Sequence, residues 1–356
     1  MTASHEPTCA PDAPSNGLPA TLEHDDAPRR IIVGAYAAVG PDLDPAGEHA
    51  LLEGILARPD VNGLEIPYLD RFSRNGDEWL LARLGDRGVL VATLVTDAVG
   101  RLASTPRFGL ASRDPDGRRA AVEVARSVRD AAARLADRAG RSVVQLVELQ
   151  TAPASLTGSS ADALSRSLDD VLGWNWGDAR LAIEHCDAAR PGRAAAKGFL
   201  ELDTEIEVVR RFGRHDARLG LVINWGRSAI EGRSAHTPLE HVRAVREPGL
   251  LAGVVFSGCS GRPDARGGAW ADVHLPPADP NDPDDPSLLD DAALRATLGA
   301  AFDTGEQPFI GLKITCPEAA STTARQRIVD AALGRIGQAW TSVLTRSSPE
   351  APAPSA

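Results

Sequence analysis

Lysine is almost missing from this chain. Of its 38 basic residues, only Lys197 and Lys313 are lysines. Arginine is therefore the default cation, and a lysine inside an apolar strand calls for a chemical reason. Aromatic residues are 4% of the 356 residues, with just two tyrosines, so the few rings present are informative by position. No apolar run approaches the ~20 residues needed to cross a bilayer, which excludes a spanning helix. Residues 1–30 carry no charged-then-apolar leader pattern, so export is not expected and the reading is cytoplasmic. The four cysteines, Cys9, Cys186, Cys259 and Cys316, show neither framework spacing nor a CxxC pair, which fits a reducing compartment. Positive charge is also short: the formal net charge is -11, which argues against nucleic acid and anionic membranes as partners. GAYAAVG at 34–40 lacks the GxGxxG spacing of a dinucleotide turn. Ser257 and Ser260 lack the GxSxG elbow of a serine hydrolase. No internal repeat is found, and the sequence leaves the oligomeric state open.

What is present is an alternation. Eight short apolar runs occur at 31–38, 61–68, 89–96, 143–151, 180–187, 219–225, 251–259 and 309–316. Segments of helical periodicity lie between them, at 45–58, 77–84, 118–138, 161–172, 200–212, 238–245 and 290–301, and another follows at 319–344. Strand and helix alternating eight times is the pattern of an α/β protein with a closed (β/α)8 TIM barrel. An open doubly wound sheet is the alternative, and it would usually carry a glycine-rich phosphate turn after its first strand. The expected division is a disordered tail at 1–29, one barrel domain at 30–345, and a second disordered tail at 346–356. One Pro-, Gly- and Asp-rich stretch, 260–287, has no periodicity, and a loop of that length on a barrel rim is often a lid.

A barrel's active site lies at the C-terminal ends of its strands, so the last residues of each run are the candidates. Side chains along a strand alternate between faces. In the eighth run Ile310, Leu312 and Ile314 share the helix-covered face, which turns Lys313 inward. The same parity turns Glu184 inward in the fifth run, Glu65 in the second and Glu148 in the fourth. A buried carboxylate beside a cation can be mere neutralisation, yet three carboxylates and a lysine at one mouth form a candidate site. Asn224 and Arg227, at and just beyond the end of the sixth run, join them. Tyr36 and Tyr68 both sit at strand ends, and Trp225, Trp270, Trp174 and Trp176 lie near others. Aromatic ring faces beside polar groups suit sugar rings, although Trp225 shares parity with core residues. His274, in the stretch WADVHLPP, is a candidate lid residue. Cys186, Cys259 and Cys316 fall at strand ends, but zinc ligands usually come in closer pairs, and buried free thiols are the simpler reading.

These strand ends resemble the xylose isomerase-like TIM barrel superfamily of sugar isomerases and epimerases, and within it an uncharacterised actinobacterial group. RLAIEHCD is similar to a fifth strand ending in a metal-binding Glu, here Glu184. INWGRS is similar to a sixth strand carrying Asp and, three residues on, His; here those positions hold Asn224 and Arg227. VVFSGCS is similar to the seventh strand without its His, FIGLKIT to the eighth with Lys313 in place of Glu, and GLEIPY to the second with its Glu. The resemblance implies a sugar-sized substrate. The departures imply that the four-ligand metal set is largely lost, so a divalent metal is possible but not favoured, and no other cofactor is indicated.

The leading expectation is a sugar isomerase or epimerase working by proton transfer, with Glu184 taking the proton, Glu148 returning one, and Lys313 supplying positive charge or a Schiff base. Glu65, Tyr36, Tyr68, Asn224, Arg227, Trp270 and His274 would bind substrate. A glycoside hydrolase with paired carboxylates and a catalytically inactive sugar-binding barrel are the alternatives.

Overall fold

A computed structural model describes residues 31–213, 218–302 and 307–347. The strands are β1 (Ile31–Val33), β2 (Val61–Pro67), β3 (Val89–Thr93), β4 (Val144–Leu149), β5 (Arg180–His185), β6 (Leu219–Asn224), β7 (Leu251–Phe256) and β8 (Phe309–Leu312). Each pairs in parallel with the next, and β8 returns to β1, so the sheet is a closed eight-stranded barrel. The helices are α1 (Ala35–Val39), α2 (Pro45–Leu56), α3 (Asp77–Leu84), α4 (Val95–Ser104), α5 (Pro115–Ala139), α6 (Ala161–Leu172), α7 (Leu202–Gly213), α8 (Trp225–Gly232), α9 (Thr237–Arg246), α10 (Asp291–Ala301) and α11 (Thr322–Ser347). The expected tails fall outside the described residues, except that Arg346 and Ser347 end α11.

Local chemistry starts these helices. Asp114 accepts hydrogen bonds from the Asp116 and Gly117 amides ahead of Pro115, and Ser160 and Asp290 cap α6 and α10 in the same way. Three helices depart from the periodicity reading. The run 31–38 divides into β1 and α1, the run 89–96 ends at Thr93 before α4, and Trp225 opens α8 rather than closing a strand. In each case the chain passes from strand to helix within one or two residues. Each of these helices opens on a buried apolar residue, Ala35, Val95 or Trp225, so hydrophobicity alone does not mark the change.

Inside the barrel, Ile32, Val89, Val91, Leu146, Ala182, Val222, Ala252 and Val255 form one apolar plug with Phe309. Gly253 makes room for it, since a Cβ there would meet the Phe309 ring at 2.1 Å. The opposite strand face, including Leu64, Leu181, Ile183, Ile310 and Leu312, packs into the larger core beneath the helices. The filled plug leaves only the strand C-termini for polar chemistry.

Candidate active site

Just beyond the plug the inward positions turn polar. Glu65, Thr93, Glu148, Glu184 and Asn224 come from β2 to β6, and Lys313 follows β8. Glu65 is 2% exposed, and Glu148, Glu184 and Lys313 are wholly buried. Directly after β1 stands Gly34, where a Cβ would lie 3.2 Å from both Glu65 Oε2 and Lys313 Cγ. A missing side chain at that position thus gives those two long side chains their space.

Lys313 Nζ lies 2.5 Å from Glu65 Oε1 and 3.4 Å from Glu184 Oε1. The Tyr36 hydroxyl donates to Glu65 Oε1 at 3.2 Å, and its ring centroid is 5.8 Å from Lys313 Nζ. Arg227 Nη1 meets Glu184 Oε1 at 2.6 Å. Asn224 Nδ2 donates to the same oxygen at 3.2 Å, while Gln150 Nε2 donates to Oε2 at 3.4 Å. Asn224 also caps α8, its Oδ1 accepting from the Arg227 amide at 3.2 Å.

The carboxyls of Glu148 and Glu184 are driven in opposite directions. Burial would raise Glu184, but Arg227 and Lys313 outweigh it and hold the group ionised at about 2. Glu148 is pushed well above the usual carboxylate range by burial and then by the Glu184 and Glu65 charges. Neither of its oxygens reaches a well-formed hydrogen bond, and the adjacent Thr93 hydroxyl, its register neighbour, offsets the rise only in small part. Burial also raises Glu65, against the pull of Lys313. Lys313 stays charged because Glu184 and Glu65 overcome its desolvation.

The segment after β7 covers this cluster. It is pinned to β7 by paired backbone hydrogen bonds between Gly258 and Leu275, and the Thr315 amide beyond β8 donates to the His274 carbonyl. It inserts Asp272, whose Oδ2 lies 3.2 Å from Arg227 Nε and 2.9 Å from Lys197 Nζ. His274 Nδ1 is 2.6 Å from Ser257 Oγ and 3.4 Å from Asp272 Oδ1. Burial holds this imidazole down at about 4, despite the nearby Asp272 charge.

The structure thus brings Tyr36, Glu65, Glu148, Glu184, Asn224, Arg227 and Lys313 together, with His274 linked through Asp272. Tyr68 does not join them: its hydroxyl donates to the Ser127 carbonyl of α5 at 3.2 Å and its ring packs edge-on to Phe72. Strand-end position brought Tyr68 into the candidate set, but a residue just past the ladder can turn outward to the helices. Trp270 lies in the covering loop, with the Arg233 guanidinium 5.5 Å from its ring centroid. Trp174 and Trp176 precede β5, at the end of the barrel away from the mouth, and Trp176 donates to the Val171 carbonyl. Cys186 and Cys259 are buried free thiols, and burial pushes both up, Cys259 to about 12; neither is an activated nucleophile.

Metal binding does not suit this mouth. Glu184 Oε1 already receives Lys313, Arg227 and Asn224, and two fixed cations stand where a divalent ion would need anionic oxygen. A second polar group, on the helix side of β5, was not legible in the sequence. His185 bridges Glu205 at 2.7 Å and Glu231 at 3.0 Å, with Arg190 on Glu231 and the His241 ring 5.2 Å away. Donor atoms of His185, Glu231 and His241 lie within 4.8 Å of one another. Two carboxylates against an imidazolium and a guanidinium already balance, so this group acts as a buried ion-pair network.

Its titration has a sign. Burial would lower His185, but Glu205 and Glu231 raise it to about 10; burial would raise Glu231, but His185 lowers it to about 2; burial and the His185 charge depress His241 to about 3. The raised His185 stabilises the fold fully below its unfolded value near 6.5 and loses that contribution as pH climbs through about 10. The depressed His241 and Glu231 contribute above their unfolded values and lose it as pH falls towards about 3 and 2. The contribution of His185 and His241 to stability should therefore be greatest between pH 6 and 7, while Glu205, raised by burial, favours folding below its unfolded value and loses that as pH rises. His241→Phe should flatten the acid limb; an unchanged acid limb in that variant would refute the assignment.

A family model described as Domain of unknown function (DUF4862) matches residues 32–328. Uncharacterized protein STM3670 of Salmonella typhimurium is 33% identical over 291 residues, covering 80% of this chain and 88% of its own. A xylose isomerase-like TIM barrel/4-hydroxyphenylpyruvate dioxygenase fusion protein superposes with a TM-score of 0.57 at 14% identity. That match covers 92% of this chain but 46% of the fusion, so the chain spans about half of it. D-psicose 3-epimerase, solved in the presence of D-fructose, gives a TM-score of 0.50 at 12% identity, with 90% and 98% covered. At such identities the likeness carries the fold. No helix among the described residues is long and apolar enough to cross a membrane.

Proposed function

Because the chain belongs to the DUF4862 family and has a xylose isomerase-like TIM barrel, we propose that it is a sugar isomerase or epimerase acting by proton transfer within its buried polar layer. The observation that carries this reading is Glu148: a wholly buried carboxyl without a well-formed hydrogen bond, pushed well above the usual carboxylate range, beside the ionised Glu184 and the charged Lys313. A carboxyl raised out of its ordinary range is a usable acid while it holds its proton and a strong base once it has lost it. Glu148 is therefore assigned the moving proton. Glu184, held low at about 2 by Arg227 and Lys313, is assigned in this scheme to fix those two cations.

In this scheme Glu148 first releases its proton to water when the mouth opens to admit substrate, and the ionised carboxyl then takes the proton from the carbon next to a sugar carbonyl. The electron pair passes to the carbonyl oxygen, and the developing oxyanion is stabilised by Lys313. Return of the proton to the former carbonyl carbon, with the neighbouring hydroxyl proton passing to the former carbonyl oxygen, gives an isomer; return of a proton to the opposite face of the deprotonated carbon gives an epimer. No step passes through a metal.

Proton transfer leaves an isotopic trace. Incubated in D2O with a panel of ketoses and aldoses, the protein should wash deuterium into the position next to the carbonyl of its substrate, read by proton NMR. The opposed shifts of Glu148 and Glu184 on neighbouring strands also suit the acid and the nucleophile of a glycoside hydrolase. Hydrolysis of aryl glycosides with no deuterium exchange would select that reading. Neither activity, with sugars still binding, would leave a sugar-binding barrel.

A further inference from the structure

Asp272 enters the mouth as a carboxylate on two cations. Arg227 reaches it from α8 and Lys197 from the loop after β5. The Arg227 side chain and the Lys197 backbone are held in place independently of it. Arg227 is bound to Glu184, and the Lys197 backbone amide is held by Asp187, which accepts from it and from the Ala196 amide. The guanidinium therefore stays where it is when Asp272 leaves, and the ammonium stays tethered beside it on a fixed backbone.

Charge counting gives that departure a consequence. With the loop closed, Lys313, Arg227 and Lys197 face Glu65, Glu184 and Asp272, three against three, and Glu148 adds no charge while protonated. The reacting groups are sealed, so a substrate enters only if the covering segment moves. Moving it withdraws Asp272 and leaves one uncompensated positive charge at the mouth, on Arg227 and Lys197. A third guanidinium stands near by: Arg233 lies 5.5 Å from the Trp270 ring of the same segment and has its Nη1 buried without a partner. The residues on either side of Asp272 also suit a segment built to change state. Trp270 and His274 hold φ of 62° and 51°, a left-handed backbone that costs a non-glycine residue energy.

We propose that Arg227 and Lys197 form an anion subsite, occupied at rest by the Asp272 carboxylate and taken over on binding by a carboxylate or phosphate group of the substrate. The setting rests on the sugar chemistry proposed above and narrows it to acidic or phosphorylated sugars. The subsite itself is testable without turnover.

Isothermal titration of the full chain with inorganic phosphate and, separately, with D-gluconate tests it at constant ionic strength. Wild type should bind one of the two saturably, phosphate marking a phosphorylated substrate and gluconate a sugar acid. Asp272→Asn removes the resident charge and should bind the same anion about tenfold or more tightly, while Lys197→Gln should weaken it about tenfold or more. Lys197 sits on a loop with its side chain partly exposed, so that variant tests the idea even if Asp272→Asn is poorly folded. Absence of saturable binding of either anion to wild type and Asp272→Asn, or binding unchanged in Lys197→Gln, would overturn the subsite. Anion binding without deuterium exchange would leave the subsite standing and remove the proposed reaction instead.

Discussion

Replacing Glu148 by glutamine should leave a folded protein that turns over substrate about 10²–10⁴-fold more slowly, the range supplied by a positioned general acid–base group. Fold and activity separate here because the resting carboxyl is neutral. Burial and the Glu184 and Glu65 charges keep it protonated, and its oxygens make no well-formed hydrogen bond to lose. Glutamine matches that neutral side chain in size, so stability at pH 7 should shift by under about 1 kcal/mol. The two proteins should part at higher pH. A carboxyl whose folded value is raised favours folding below its unfolded value and loses that contribution as pH rises through the folded one. Wild type should therefore weaken on that limb where Glu148→Gln does not, as denaturant titrations at several pH values will show. Wild-type-like turnover in Glu148→Gln would end the proton-transfer assignment.

Lys313→Met should be the most destabilising single change at the mouth, costing about 3–5 kcal/mol near neutral pH, the usual result of stripping one partner from a buried ion pair. Glu184 keeps Arg227, but Glu65 keeps only the Tyr36 hydroxyl. Glu65 is already raised by burial and without Lys313 rises further. Its native form then holds a proton that the unfolded chain has released, so the variant should regain stability as pH is lowered towards 5. His241 titrates in both proteins over this interval, so the measurement is the difference in melting temperature between variant and wild type, which should narrow as pH is lowered towards 5. Lys313→Arg keeps the charge and should keep the fold, while losing about 2 kcal/mol or more of transition-state stabilisation, the scale of one oxyanion donor. Full activity in Lys313→Arg at unchanged stability would reduce Lys313 to a counter-charge.

The barrel and its inward groups were legible because each depends on local pattern: alternation along a strand, eight times over, fixes which face Glu65, Glu184 and Lys313 occupy. Partners set by loops and helices were not legible. Glu205 and Glu231 lie on α7 and α8, and no spacing in the chain ties them to His185. Asp272 is one acidic residue in an acidic loop until the fold sets it on Arg227. One usable signal was passed over. The scarcity that singled out Lys313 applies equally to Lys197, and the two lysines end on one chain of ion pairs, Lys313 to Glu184 to Arg227 to Asp272 to Lys197. Tyr68 shows the reverse error, in which position alone placed a ring at the mouth and packing took it elsewhere.

Asn224 and Arg227 stand three residues apart at the start of α8, and both donate to Glu184 Oε1. The turn of backbone that sets one sets the other, because the Asn224 side chain itself caps that turn. A small slide of α8 therefore strips both donors from the carboxylate together, and the proton affinity of Glu184 becomes a gauge of helix position with a step in its scale. Seen by infrared spectroscopy, the ionised carboxylate band of Glu184 should persist or vanish as a whole when the cap is weakened by Asn224→Ala, and a gradual drift in its intensity across mild denaturant would contradict that linkage.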